Sequence, residues 1–376
     1  MKIGILTLPL TDNYGGILQA IALYRLLQKQ DNEVILIYKD FHPILWKEIV
    51  KKIFLRIPFY DFKNIKSNHK KEKAQMKRKK FHRSFIEKEI FRISENLYTK
   101  NDLETYAKNE KFDAIIVGSD QVWRKEYIRD KYYKSYFLDF IDSKEIKKIA
   151  YAASFGKDYW EGTNDIEEIS KCLKDFNAIS TRELSGINIC ENSFGFKDAK
   201  HVLDPTLLIG KEFYINEIIS KYETKKIKKG GLVTYVLDEA IEKKEIISFM
   251  KKNLNVTSLN HLKGFNNSGD TYTIPEWLTS FAYADFIVTD SFHGMIFSII
   301  FEKDFVVIGN LNRGLERFTS LLSLLHLENR LVFNIDDITN KKMSNIDYIA
   351  INKILEKKKE SSLDFLADSL TLKRNK

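Results

Sequence analysis

Apolar residues come in short blocks separated by polar, often glycine-containing turns. The blocks Ile3 to Leu8, Val34 to Ile37, Phe112 to Val117, Lys148 to Ala153 and Ala178 to Ser180 read as buried strands. Between the first two, Ile17, Leu18, Ile21, Ala22, Leu23, Leu26 and Leu27 recur at helical spacing. Strand, glycine turn, helix and strand in this order open a Rossmann-like domain. A second series has strands at Leu232 to Val236, near Val256, at Phe286 to Val288 and at Phe305 to Ile308. Helix candidates Glu239 to Lys252 and Pro275 to Ala284 alternate with them, and a further helix runs from Arg313 to His326. The alternation predicts two parallel α/β domains, at 1–205 and 206–345. A basic helical insertion interrupts the first at 41–100. The tail, 346–376, contains a helix from Tyr348 to Lys358 that is expected to cross back onto the first domain.

The polar turns all fall at the carboxyl ends of strands, the edge of an open parallel sheet where ligands bind. Thr11 to Gly16 follows the first strand; its paired glycines suit close approach of a ligand or simply a tight turn. It lacks the three-glycine dinucleotide spacing and the Gly-Lys-Ser/Thr of a P-loop. Gly118-Ser119-Asp120-Gln121-Val122-Trp123, Ser154-Phe155-Gly156 and Thr181-Arg182-Glu183 follow the Phe112, Lys148 and Ala178 strands. Thr181 is a candidate cap for a helix whose first turn holds Arg182. Their convergence predicts a cleft. The richest turn is Thr289-Asp290-Ser291-Phe292-His293, between the Phe286 strand and an apolar helix from Met295 to Phe301. Ser291 is a candidate N-cap, the helix start suits an anion, and His293 can donate to that anion or move a proton.

The chain has 376 residues, 44 % of them hydrophobic, enough for two packed cores. No run of about 18 apolar residues is present, and the N-terminus enters a strand without a signal-peptide layout. The two cysteines, Cys172 and Cys190, form neither a disulfide framework nor a metal-ligand spacing. A cytosolic, metal-independent protein is the simplest reading. The formal charge is +9, and its excess is local: Lys47 to Arg83 holds 14 Lys and Arg against 3 Asp and Glu. Within this block, Ile44 to Arg56 alternates apolar and basic residues as an amphipathic helix, and Lys70 to Arg83 reads as a solvated helix or loop. Such a block serves nucleic acid, anionic lipid or a polyanionic substrate, and the 44–56 helix otherwise packs on the domain or on a second subunit.

Taken together and in order, several of these segments resemble the polysaccharide pyruvyltransferase family over Lys2 to Val332. They are Asp12-Asn13-Tyr14-Gly15-Gly16 with Leu18-Gln19-Ala20, Gly118 to Trp123, Ser180-Thr181-Arg182-Glu183, Asp204-Pro205-Thr206, Thr289 to Gly294, and Arg313 to Arg317. The resemblance implies two Rossmann-like domains in a GT-B-like arrangement. It implies phosphoenolpyruvate as co-substrate, no other cofactor, and a saccharide or lipid-linked saccharide acceptor of a cell-surface polysaccharide or capsule. Arg182 resembles the family's donor-holding arginine and His293 its essential histidine, with Ser291, Gly294, Arg313 and Arg317 completing the donor side. His293 then binds the donor as imidazolium or protonates the enol carbon. Asp120 and Asp290 accept hydroxyl protons or orient Arg182 and His293. Asn13, Tyr14, Gly15, Gly16, Ser119, Gln121, Trp123 and Ser154 are expected on the acceptor side or cleft wall. One departure stands out: Ser291 occupies a place where several family members carry arginine, and Arg313 or Arg317 is the candidate replacement.

A GT-B glycosyltransferase using a nucleotide sugar is the competing enzyme reading. A nucleic-acid-binding protein is the third, and it is poorly supported: Lys70 to Lys80 lacks the interleaved aromatics that stack on bases. Contact with the inner membrane face through 44–83 is an expectation of the basic block; oligomeric state is not legible.

Overall fold

The computed structural model describes the chain apart from residues 41–77, 129–130, 163, 223, 225–226, 228, 239, 255, 257, 264–271, 341–343 and 372–376. The first lobe runs β1 (Lys2–Leu6), α1 (Tyr14–Gln28), β2 (Glu33–Ile37), α2 (78–89), α3 (Lys100–Glu110), β3 (Ala114–Asp120) and β4 (Lys147–Ala153). It continues with α4 (Ile166–Lys174), β5 (Ala178–Thr181), α5 (Leu184–Phe194) and β6 (Lys200–His201). A short helix, α6 (Pro205–Leu208), leads to the second lobe, which runs β7 (Leu232–Tyr235), α7 (Ile241–Asn253), β8 (Leu259–Lys263), α8 (Ile274–Ala282) and β9 (Phe286–Thr289). After these come α9 (Phe292–Ile300), β10 (Asp304–Ile308), α10 (Glu316–Leu324), β11 (Leu331–Val332), α11 (Ile335–Asn340) and α12 (Tyr348–Thr371).

Both sheets are parallel, ordered β2-β1-β3-β4-β5-β6 and β11-β10-β9-β7-β8. The two orders share one logic. In each, the strand order reverses beside the lobe's first strand, between β1 and β3 and between β7 and β9. Consecutive connections leave on opposite faces there, which opens a crevice at the strands' carboxyl ends. Every central strand is apolar on both faces because helices cover both sides, which explains continuous runs such as Ile115–Ile116–Val117.

The lobes share a core. One apolar cluster extends from Ile3 and Leu18 through Tyr14 and Tyr235 to Trp277 and Phe297. Tyr14 stacks on Trp277 at 5.4 Å between ring centroids and donates its hydroxyl to the Tyr272 carbonyl at 2.7 Å. It pins lobe to lobe and is not a cleft side chain, contrary to the sequence expectation. α12 lies back along the first lobe: Lys358 Nζ donates to the His201 carbonyl at 2.7 Å, and Leu203 N–H donates to Ser362 Oγ at 3.1 Å. Lys147 Nζ also donates to the Leu370 carbonyl.

Several boundaries moved. α5 starts at Leu184 with Glu183 at its N-cap, so Thr181 caps nothing and its hydroxyl donates to the Glu183 carbonyl at 3.0 Å. The helix expected from Arg313 is two pieces, a single turn at Leu311–Arg313 and α10. Gly314 separates them at φ +78°, where a Cβ would also strike the Gly156 carbonyl of the other lobe. The strand expected near Val256 begins at Leu259. The amphipathic segment 44–56 and residues 70–77 of the basic block lie outside the described residues; 78–83 form the start of α2.

His201 links the first lobe to α10. Its Nε2 lies 3.2 Å from the Arg182 carbonyl and 3.4 Å from Ser320 Oγ. Burial, and then the Lys358 ammonium, push its pKa down to about 4. In the unfolded chain the ring titrates near 6.5, so between these values the unfolded state binds the extra proton and stability rises with pH. Urea unfolding should show a gain of about 2 kcal/mol from pH 5 to pH 7 that His201→Gln removes. Equal pH slopes in the two proteins would contradict the assignment.

Candidate functional site

A cleft of about 660 Å³ lies where the two switch points face each other. The first lobe contributes the loop after β1, from Leu8 to Asn13 with Gly16, and the turn after β3, Asp120, Gln121 and Arg124. The second lobe contributes Tyr235 and Leu237 after β7, Asp290 to His293 after β9, and Asn310, Arg313 and Arg317 after β10. Tyr127, Phe318, Gln19, Asp40 and Lys79 of α2 complete the wall. The strand-end turns thus supply most of it, for the topological reason given above.

His293 sits in the first turn of α9. Ser291 caps that helix, its hydroxyl accepting from Gly294 N–H at 3.3 Å. Gly294 packs on Thr289, where a Cβ would collide with the threonine hydroxyl. The imidazole lies over Gly15 in the first turn of α1; a Cβ on Gly15 would overlap the ring at Cγ and Nδ1. The residue is 5 % exposed and lines the cleft, with Nε2 directed at Asp204 Oδ2 at 3.6 Å, longer than a hydrogen bond.

Asp204 was not singled out as a site residue, yet it is the hub. Oδ2 accepts from Arg182 Nη1 at 2.9 Å and from Ser119 Oγ at 3.1 Å; Oδ1 accepts from Thr206 N–H at 3.0 Å and Thr206 Oγ1 at 2.7 Å. Burial alone would raise its carboxyl, but close contact with His293, the charge of Arg182 and the Thr206 hydroxyl hold it well below the usual carboxylate range. The signal was present in Asp204-Pro205-Thr206. An aspartate before a proline at the first helical position is an N-cap, and a cap buried at a strand exit faces the site.

Arg182 does not line the cleft. Its side chain is 1 % exposed, paired with Asp204 and lying 3.5 Å from Asp120 Oδ1, with its guanidinium 4.6 Å above the Phe292 ring. The sequence expectation of a donor-holding arginine is corrected on this point: both its charge and its planar face are engaged one layer behind the wall. Breaking a buried pair strands the partner charges. Arg182→Met should therefore cost about 3–5 kcal/mol of stability, measurable as a shifted urea midpoint; a change below about 1 kcal/mol would mean that the pair is not what holds the residue.

The two candidate bases separate. Asp290 is clamped: it accepts from Lys243 Nζ at 2.6 Å, Leu237 N–H at 2.7 Å and Asp238 N–H at 3.4 Å, and its side chain is inaccessible. It braces the loop after β7 and is corrected from base to support. Asp120 faces the cleft from a backbone held at φ +80°, a conformation a side-chain-bearing residue rarely adopts. Asn13 Nδ2 donates to its Oδ2 at 3.1 Å and Gln121 N–H to its Oδ1 at 2.9 Å.

Other expected cleft residues lie elsewhere. Trp123 is in the core, stacked on Phe137 at 5.2 Å, its indole N–H donating to the Tyr136 carbonyl at 2.9 Å. Ser154 is buried and donates to Glu183 Oε1 at 3.0 Å. Ser119 stands behind the wall on Asp204, while Asn13, Gly16 and Gln121 do line the cleft.

The arginines differ in charge balance. Arg313 pairs with Asp238 at 2.8 Å, and Arg124 lies 3.6 Å from Glu161 while donating to the Arg313 carbonyl at 3.0 Å. Arg317 is buried against the Phe292 ring at 5.6 Å, its Nε has no hydrogen-bond partner, and among the described residues no carboxylate pairs with it. Burial and then the neighbouring Arg182 push its pKa down to about 10. Among the described residues no cluster of three or more His, Cys, Asp and Glu could hold a metal, and no helix is long and apolar enough to cross a membrane.

Comparison with solved structures places this architecture among GT-B folds. UDP-GlcNAc 2-epimerase from Neisseria meningitidis, bound to UDP-GlcNAc, superposes with a TM-score of 0.51 at 10 % identity, covering 99 % of this chain and 100 % of that one. The S. aureus MnaA–UDP structure gives 0.52 at 11 % identity, over 100 % and 99 % of the two chains. Arabidopsis thaliana UGT89C1 complexed with UDP-L-rhamnose gives 0.51 at 8 % identity, over 98 % and 99 %. At these identities the likeness is one of fold. No curated protein sequence matches the chain. The polysaccharide pyruvyl transferase family model matches residues 13–312, a span that starts at the cleft residue Asn13 and takes in His293. The chain therefore belongs to the polysaccharide pyruvyl transferase family.

Proposed function

We propose that the protein transfers the pyruvyl group of phosphoenolpyruvate onto two hydroxyls of a saccharide, forming a pyruvate ketal. The observation that carries this reading is Arg317, a buried guanidinium on the cleft wall with no carboxylate partner among the described residues. A buried cation whose largest charge interaction is repulsion by another arginine, Arg182, is costly, and an anionic ligand offsets that cost. Phosphoenolpyruvate brings a phosphate and a carboxylate into one small molecule. Arg317 meets one anionic group, and His293 and the first turn of α9 stand beside it. Arg317 thus takes the part that sequence reasoning gave first to Arg182.

In the reaction a proton adds to C3 of the enol, and the first hydroxyl oxygen bonds to C2. The C2–O bond to phosphate then breaks, and the second hydroxyl oxygen closes the ketal. The two hydroxyl protons end on C3 and on the released phosphate. Asp120, lining the cleft and steadied by Asn13, is the base for a hydroxyl. The test is to incubate the protein with phosphoenolpyruvate and a panel of oligosaccharides. Phosphate release, coupled to a mass gain of pyruvate less water, is expected. Phosphate release without product, or transfer from a nucleotide sugar instead, would defeat the reading in favour of the glycosyltransferase alternative that the UDP-bound fold neighbours bring to mind.

A lipid-linked acceptor at a membrane face is part of the same proposal. It is supported by Lys79 on the cleft wall, with Lys80 and Arg83 exposed beside it on α2. Sedimentation with vesicles containing anionic lipid should fall as salt rises. Equal recovery with neutral vesicles would contradict it.

A further inference from the structure

The geometry of the buried layer behind His293 assigns that residue's orientation to a partner outside the reaction cleft. Asp204 is 2 % exposed and belongs to the strand exit before α6, not to the cleft wall. Four donors fix its carboxylate: the Arg182 guanidinium, the Ser119 hydroxyl, and the Thr206 N–H and hydroxyl. A carboxylate so held cannot rotate to suit a neighbour, so the neighbour must suit it. His293 Nε2 is buried, lies 3.6 Å from Oδ2, and has no hydrogen-bond partner of its own. A lone pair at Nε2 would face the carboxylate's lone pairs and repel them, whereas an N–H there is attracted. At 3.6 Å the contact is electrostatic in kind and longer than a hydrogen bond.

We propose that Asp204 is a positioning residue that selects the Nε2–H tautomer of His293 and leaves Nδ1 as the nitrogen that meets substrate. Second-layer carboxylates fix imidazole tautomers in this way at other catalytic and metal-bound histidines. The Nδ1 edge lies over Gly15, where the missing Cβ leaves room for the ring. When it meets an anionic substrate the ring takes a proton at Nδ1 while Asp204 holds Nε2–H, so any proton exchanged between His293 and the reacting groups runs through Nδ1. Arg182 acts at one remove, by holding Asp204. The identity of the substrate rests on the proposed function; the tautomer does not.

The experiment uses the full chain labelled with ¹⁵N-histidine. Long-range ¹H–¹⁵N correlations distinguish Nε2–H from Nδ1–H rings, and His293→Gln identifies the signal among the seven histidines. The wild-type protein is expected to show the Nε2–H pattern for the neutral ring; an Nδ1–H pattern overturns the proposal with no variant needed. Asp204→Asn, where it folds, should raise the Nδ1–H fraction. It should also lower kcat about 10–100-fold while the phosphoenolpyruvate Kd changes less than about threefold. A tautomer unchanged in folded Asp204→Asn also overturns it. Added phosphoenolpyruvate should move the Nδ1 resonance more than Nε2, and the reverse order contradicts the assignment of the substrate-facing nitrogen. A protein that shows the Nε2–H pattern but does not respond to phosphoenolpyruvate retains the tautomer and loses the proposed substrate, so the two failures are separable.

Discussion

Arg317→Met is expected to abolish phosphoenolpyruvate binding while leaving the unliganded protein as stable as wild type, or more stable. Most buried arginines behave otherwise. Arg182 shows the usual case: its charge is spread over Asp204 and Asp120, so its loss strands two carboxylates. Arg317 has no such paired carboxylate among the described residues; Glu183 and Asp120 act on it only at longer range, against the repulsion of Arg182. Methionine fills similar volume against Phe292 and Phe318 without the desolvation cost. The urea midpoint should hold or rise by an amount equivalent to about 1 kcal/mol, while affinity falls at least about 100-fold, the size of a lost charge-assisted contact. A destabilisation above about 2 kcal/mol with affinity retained would show that the guanidinium serves the fold.

Gly15→Ala is the second large effect. In isolation the change favours α1, because alanine is about 1 kcal/mol better than glycine inside a helix. In this protein the new Cβ falls on His293 at Cγ and Nδ1, and the ring must leave. A catalytic group displaced by about 1 Å costs on the order of 100-fold in rate. The transfer rate in Gly15→Ala should fall by that factor. In a His293→Ala background the same glycine change should be nearly silent for activity, because the ring is gone, but should add no stability, because the Cβ of residue 293 still lies 2.4 Å from the new carbon. Independent losses that multiply in the double variant would contradict the contact.

The lobes and the place of the cleft were legible in the sequence because both follow from periodicity. Apolar runs such as Ile3 to Leu8 became central strands, and the turns after β1, β3, β7, β9 and β10 became the cleft wall, whereas those after β4 and β5 do not line it. Ser291 was legible as a cap because capping is local, a hydroxyl three residues from the N–H it accepts. Side-chain partners were not legible, because they are set by residues distant in the chain. Arg182 meets Asp204 and Asp120, Asp290 meets Lys243, and Tyr14 meets Trp277. Neither was the direction of a turn residue: Asp120 and Trp123 share one turn, yet one faces the cleft and the other the core. Arg313 and Arg317 look equivalent as letters, but Gly314 separates their elements, and the first pairs with Asp238 while the second packs on aromatic faces at the cleft with no carboxylate paired to it among the described residues.

The central claim is that the cleft receives a small dianionic enol ester at Arg317 and His293. Calorimetric titration of phosphoenolpyruvate, and separately of UDP, into wild type, Arg317→Met and His293→Ala tests it most directly. The account predicts saturable phosphoenolpyruvate binding to wild type alone and no heat from UDP. Saturable UDP binding with no response to phosphoenolpyruvate, or phosphoenolpyruvate bound equally by all three proteins, would contradict it.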